Sequence, residues 1–163
     1  MTIIADATAL ILLAKVSVLE TFADRNKIIV PKIVYEEVVR GKETGRNDGI
    51  LAEKLIQEKK LTLKIPNNSI KNKIGKLFNL KAGELEVISL AYKTKHIILS
   101  DDKKCLNAAK ALEIEFITSL DVIISLYKKK VITKEKALEC INGLEDYGWY
   151  AKDLIRLYRE AIK

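Results

Sequence analysis

The 163 residues carry 29 basic side chains against 22 acidic ones and one His, for a formal net charge of +7, with 48% hydrophobic and 31% charged residues. That balance excludes a disordered chain, 7 Gly and 2 Pro exclude a collagen-like or low-complexity one, and the length suits a single domain over 1–163. The longest apolar run, Ala9 to Ala14, is too short to cross a bilayer, and Met1-Thr2-Ile3-Ile4-Ala5-Asp6 lacks the basic segment of a secretory signal, so a cytoplasmic protein is expected.

In chain order, residues 2–5 predict a short buried strand ending at Asp6, followed by a helix from Thr8 to Lys15. Ser17-Val18-Leu19-Glu20 reads as a capping box opening a second short helix, and Lys27-Ile28-Ile29-Val30 as a second strand. Pro31 stands where a helix over 32–40 can begin without its missing N–H, and Gly41 where that helix would stop. A polar loop over 42–49, a helix near 50–59 and a strand from Leu61 to Ile65 come next. Pro66-Asn67-Asn68-Ser69 breaks the chain before helices near 70–78 and from Glu84 to Lys93. Strand 96–100, helix 102–112 and strand 114–117 follow, and the last third is helical with an interruption around Tyr147-Gly148-Trp149. Strands alternating with helices and no hairpin signal predict an α/β fold, a parallel sheet covered on both faces. In such folds the ligand site lies outside the carboxyl ends of the strands.

Cys105 and Cys140 have no metal-binding spacing, and His96 is the lone imidazole, placed where it enters a strand. A zinc site is therefore excluded, since zinc takes about four N or S ligands. Acids remain, and they favour a hard cation. Asp6 and the pair Asp101-Asp102 each follow a predicted strand directly; capping of the next helix is the bland alternative for each. On helix 32–40, Ile33, Val34 and Val38 mark the buried stripe at roughly 100° per residue, and Glu37 shares it while Glu36 faces water. On helix 84–93, Glu84 falls near the centre of the inner face of Leu85, Val87, Ile88, Ala91 and Tyr92, and Glu86 points the opposite way. Burial of an unpaired carboxylate is costly, so four such acids predict a shared site. Carboxylates without His or Cys suit Mg²⁺ or Mn²⁺, and two such ions clamp the attacking and leaving oxygens of a phosphodiester. The basic excess agrees with a nucleic-acid substrate, although a Lys- and Glu-rich surface also marks proteins from hot environments.

The chain resembles the PIN domain nucleases, a family that includes the toxins of many prokaryotic toxin–antitoxin pairs. Four motifs carry the resemblance: Ile3-Ile4-Ala5-Asp6-Ala7-Thr8, Glu37-Val38-Val39-Arg40-Gly41, Leu80-Lys81-Ala82-Gly83-Glu84 with Ser89 and Ala91, and Ser100-Asp101-Asp102. It spans residues 1–120 as a catalytic core; the helical extension over 121–163, with Lys129-Lys130-Val131-Ile132, Gly143 and Tyr147-Gly148-Trp149, looks like a subgroup of PIN-like proteins of archaea and bacteria. The third acid is Glu where many members have Asp, and Ser100 stands for Thr. The resemblance implies a three-layer α/β/α fold with four to five parallel strands. It further implies Mg²⁺- or Mn²⁺-dependent endoribonuclease activity, an RNA substrate, a protein antitoxin and a homodimer. Asp6, Glu37, Glu84 and Asp102, with Asp101 as a rival for the fourth place, would ligate metal and carry catalysis. Thr8 would hydrogen-bond near Asp6, and Ser100 would support the fourth acid.

Two alternatives remain at this point. A haloacid-dehalogenase-like phosphatase also opens with a strand and Asp, but it needs a second acid where Thr8 stands. A catalytically inactive PIN-like module would bind without turnover. For the C-terminal aromatics Tyr147, Trp149, Tyr150 and Tyr158, the spacing favours core packing over an interaction surface, and Lys128-Lys129-Lys130 favours a solvated run.

Overall fold

The structure, a computed structural model, describes residues 1–44 and 47–162. Five strands form one all-parallel sheet: β1 (Thr2–Ala5), β2 (Lys27–Pro31), β3 (Leu61–Lys64), β4 (Ile97–Leu99) and β5 (Phe116–Ile117), in the order β3-β2-β1-β4-β5. Ile3, Ile4 and Ala5 of the central strand are fully buried, as β-branched runs covered on both faces should be. The connections run through α1 (Ala7–Lys15), α2 (Leu19–Ala23), α3 (Lys32–Arg40), α4 (Asp48–Gln57), α5 (Asn68–Leu77), α6 (Ala82–Ala91) and α7 (Lys103–Ala111). Right-handed crossovers place α1 to α4 over one face and α5 to α7 over the other. The three-layer α/β/α arrangement is thus the one expected. Strand order reverses between β1 and β4, which makes their carboxyl ends the switch point where a crevice opens.

Local chemistry accounts for the element ends. Asp6 caps α1 by accepting from Ala9 N–H at 2.8 Å, and Asn67 caps α5 by accepting from Ser69 N–H at 2.8 Å. Ser17 does not open a capping box. It takes a left-handed conformation (φ 60°) and closes α1: its N–H bonds Ala14 O and the Val18 N–H bonds Leu13 O, each at 3.0 Å. α2 consequently starts after Val18 with no side-chain cap. Gly41 does close α3 after Arg40, as expected, though with right-handed helical angles rather than a left-handed turn, and it passes into a 3₁₀ turn, Gly41–Thr44. Of the expected polar loop, Gly45 and Arg46 lie outside the described residues, as does Lys163. Strands β4 and β5 are shorter than expected: β4 pairs with β1 at three positions, Ile97 to Leu99, and β5 with β4 at two, Ile98↔Phe116 and Leu99↔Ile117.

The C-terminal region comprises α8 (Ser119–Lys128), α9 (Lys134–Tyr147) and α10 (Lys152–Glu160). Leu120, Val122, Ile123, Ala137, Ile141, Leu144 and Ile155 of these helices are buried in the same hydrophobic cluster as the sheet. Among the described residues no helix is long and apolar enough to cross a membrane.

Candidate active site

The register of the central strands assembles the site. Ile4 pairs with Ile98 and Ala5 with Leu99, so the next residues, Asp6 and Ser100, emerge side by side at the switch point. Asp6 N–H bonds Leu99 O at 3.1 Å, and Ser100 Oγ donates to Asp6 Oδ2. Ser100 Oγ also accepts the Asp102 N–H at 3.1 Å, which ties the loop after β4 to the acid after β1. Asp102 caps α7 by accepting from Cys105 N–H at 2.9 Å.

Two helices complete the crevice. Glu37 comes from α3 and Glu84 from the first turn of α6, where its carboxylate accepts the Lys81 N–H at 3.0 Å. Their approach depends on Gly83. A Cβ there would lie 3.2 Å from Val34 Cγ2 and 3.3 Å from Glu37 Oε2, so both side chains would have to give by a few tenths of an ångström. Asp6, Thr8, Val34, Glu37, Lys81, Gly83, Glu84 and Asp102 line one cavity of about 80 Å³.

The expected acids therefore reach one rim, with three differences from the pattern-based reading. Glu37 is exposed rather than buried, because the stripe it shares with Val34 runs out into the crevice mouth instead of under a neighbouring helix. Glu86, expected to face water, is 8% exposed and paired with Lys71 Nζ at 3.3 Å, because α5 packs on that side of α6. The adjacent Asp101 and Asp102 part company. Asp101 does not line the crevice; it turns to the C-terminal helices, accepting from Ser119 N–H at 3.0 Å, from Ser119 Oγ and from Tyr150 OH at 2.5 Å. Gly83 and Ser119 are the residues that strand-end and periodicity arguments passed over, although Gly83 stood in a quoted motif; Tyr150, read as a core aromatic, also holds Asp101. Thr8 is exposed and lines the crevice beside Asp6.

Electrostatics set Asp6 apart. It is 3% exposed, and burial raises its pKa from 3.8 to about 7 against the opposing Ser100 and Ala9 hydrogen bonds, with a further push from the charges of Asp101 and Asp102. Asp101 is raised as well, chiefly by burial. Burial and then the Asp6 charge push the Cys105 thiol up to about 12, so it is no nucleophile near neutral pH. An acid this buried, with further acids around it and, among the described residues, Lys81 as the one cationic side chain on the lining, calls for an added positive charge. Among the described residues no three His, Cys, Asp or Glu side chains are already drawn together as a finished metal site. Asp6 and Glu84 are engaged instead with Ala9, Ser100 and Lys81. The donor set nonetheless fits a hard divalent cation, all oxygen and all acidic.

A family model described as PIN domain, DUF3368, matches residues 2–163. The chain belongs to this PIN domain family. The match runs through α8 to α10, so the C-terminal helices fall within the family's span, and the phosphatase alternative is set aside. Membership in the PIN family supports nuclease activity in general terms. No curated protein matches the chain. Among solved structures, VapBC-1 from nontypeable Haemophilus influenzae is similar over 73% of this chain and 98% of its own, with a TM-score of 0.53 and 15% identity. That likeness concerns the fold. A PilT N-terminus domain protein of the archaeon Sulfolobus solfataricus P2 is similar over 77% of this chain and 92% of its own, with a TM-score of 0.49 and 18% identity. VapBC2 from Rickettsia felis, solved with a DNA fragment from its promoter, is similar over 72% and 98%, with a TM-score of 0.48 and 12% identity.

Proposed function

We propose that this PIN domain is a Mg²⁺- or Mn²⁺-dependent endoribonuclease, with Asp6, Glu37, Glu84 and Asp102 as the residues that hold the ion. The observation that carries the reading is the convergence of these four acids, from four separate parts of the chain, on one small crevice at the β1/β4 switch point. A bound divalent ion would supply the charge that activates water and stabilises the departing oxygen of a phosphodiester. The chain's own contribution is positional. Ser100 and the Ala9 N–H fix both oxygens of Asp6, the Asp102 carboxylate is oriented by the first turn of α7, and Lys81 stands at the rim where a phosphate would pass. Asp101 is assigned a positioning role rather than a ligand role, because it lies off the crevice lining and its carboxylate turns to Ser119 and Tyr150 of the C-terminal helices.

The wider setting follows by analogy: the toxin of a toxin–antitoxin pair, cytoplasmic and homodimeric, with a protein antitoxin. Its support is the family and the fold shared with a VapBC structure. The test is cleavage of a generic RNA by the purified protein with Mn²⁺, run beside Asp6→Asn and beside wild type in EDTA. Cleavage by wild type alone supports the reading. Metal-induced stabilisation without cleavage of RNA or DNA would replace it with a binding module.

A further inference from the structure

The segment between α9 and α10 places an unusual surface beside the crevice. Trp149 is 103% exposed and Tyr147 54% exposed, contrary to the core packing expected for these aromatics. Burying a large side chain of this kind stabilises a fold by about 1.5–3 kcal/mol, so leaving both in water is a real cost. The exposure does not come from a loose backbone. Gly148 N–H bonds Leu144 O at 2.8 Å, and a Cβ on Gly148 would come 2.4 Å from Tyr150 Cε2 and 2.8 Å from Leu144 O. Tyr150 thus folds back over Gly148, and its OH is held by Asp101. Between these two anchors the indole of Trp149 stands in solvent.

The surroundings indicate what the indole meets. Tyr147, Gly148, Trp149 and Tyr150, with Lys15, Ile11, Leu12, Thr8 and Asp101, line a cavity of about 200 Å³. Lys15 Nζ lies 4.7 Å above the Tyr147 ring. Thr8 borders both this cavity and the carboxylate crevice, so the two adjoin, and Asp101 and Asp102 divide between them. An exposed aromatic face, a cation beside it and an adjoining phosphodiester-cleaving crevice are the parts of a single-stranded nucleic-acid site, where bases stack on rings and lysines meet phosphates.

We propose that Trp149 and Tyr147 form a stacking platform for an unpaired nucleobase next to the scissile phosphate, with Lys15 meeting the backbone phosphate beside it. This deepens the nuclease reading and rests on it: the substrate would be a single-stranded segment whose base is free to leave its own stack. A duplex, with its bases already stacked, would be a poor substrate.

Trp149 is the chain's one Trp, so its fluorescence reports on the platform without labelling. Intact protein in EDTA would be titrated with an RNA of about ten nucleotides and with an abasic oligomer of the same length and charge, while anisotropy of a labelled copy follows binding in parallel. The expected result is saturable quenching by the RNA and little by the abasic oligomer. Trp149→Ala should weaken RNA binding about tenfold, within the range for one stacked base, and Trp149→Phe should restore most of it. With Mn²⁺, Trp149→Ala should raise KM with kcat little changed. Thermal stability should stay close to the wild-type value, since the Trp149 side chain is fully exposed. RNA binding without quenching, or undiminished binding by Trp149→Ala, overturns the platform and leaves the nuclease reading standing. No RNA binding at all overturns both. A fluorescence shift that grows with protein concentration alone would assign the surface to a second copy of this chain and also overturn the proposal.

Discussion

Two neighbouring acidic regions receive opposite treatment in this molecule. In the C-terminal region, acids are met by donors: Asp101 by Ser119 and Tyr150, and Asp121 by Thr118 N–H at 2.8 Å, Thr118 Oγ1 at 2.9 Å and Tyr158 OH at 2.5 Å. In the crevice, Asp6, Glu37, Glu84 and Asp102 surround a cavity whose lining offers one Lys, and Asp6 lies deep enough for burial to raise its pKa to about 7. Asp101 and Asp102, adjacent in sequence, fall on opposite sides of this divide. Asp101 and Asp121 tie the C-terminal helices to their neighbours, whereas the crevice acids, each held by its own local donor where one is present, share one lining. The contrast predicts that substitutions in the first region act on stability and those in the second act on chemistry.

The largest test is catalytic. Asp6→Asn should lower RNA cleavage by at least about a hundredfold, the scale of losing one electrostatic stabiliser, and Asp101→Asn by no more than the roughly 10- to 100-fold typical of a residue that orients another. Equal losses measured side by side would erase the distinction between ligand and positioning residue.

The same Asp6 substitution should have the opposite effect on metal-free stability. Below about pH 4 the folded and unfolded states both hold the Asp6 proton, so neither is penalised. As pH rises toward 7 the unfolded chain releases that proton first and the fold loses stability; above 7 the full penalty is present. The rise from 3.8 to about 7 corresponds to about 4 kcal/mol. Asn accepts the Ala9 N–H as well as Asp does, so Asp6→Asn should match wild type near pH 4 and exceed it increasingly from pH 4 to 8 in urea denaturation. A pH-independent difference would mean that Asp6 is not the titrating group.

Metal linkage sharpens the comparison further. At Mn²⁺ about a hundredfold above its dissociation constant, wild type should gain about 2.7 kcal/mol, and Glu37→Gln much less. Tyr150→Phe should retain that gain, since it leaves the crevice acids in place. Its own cost belongs to the other region: loss of the hydroxyl strips a donor from Asp101 and should destabilise by about 1–3 kcal/mol in thermal melts. Tyr158→Phe should cost about as much, because Asp121 keeps both Thr118 donors just as Asp101 keeps both Ser119 donors. The smallest effect is expected for Glu36→Gln, whose exposed partner Lys32 lies 3.9 Å away; a change beyond about 0.5 kcal/mol would contradict the surface placement.

How much of the site was legible varies residue by residue. Asp6 and Asp102 could be read because a buried strand ends abruptly at a polar residue, and parallel sheets put function at such ends. Glu37 was identified from helical periodicity, but its burial was not, since periodicity gives a direction around an axis and not what lies in that direction. Glu86 failed for the same reason: nothing local announces that α5 lies against it. Ser17 read as a cap because its side chain suits one, yet the carbonyls at the end of α1 claimed its backbone. Of the C-terminal aromatics, Tyr150 and Tyr158 pack against the core as helical spacing suggests, whereas Tyr147 and Trp149 are exposed because the chain leaves the helix at Gly148.

The order of strands and helices, the parallel sheet and the acids at its carboxyl edge were all determined by the sequence, because hydrophobic period and strand-end polarity are local properties of a chain. Which of two adjacent aspartates faces the crevice, how near Gly83 lets two helices come, and whether an indole meets the core or water were decided by tertiary structure. Those outcomes depend on contacts between segments many residues apart, and no local pattern encodes the distance between them.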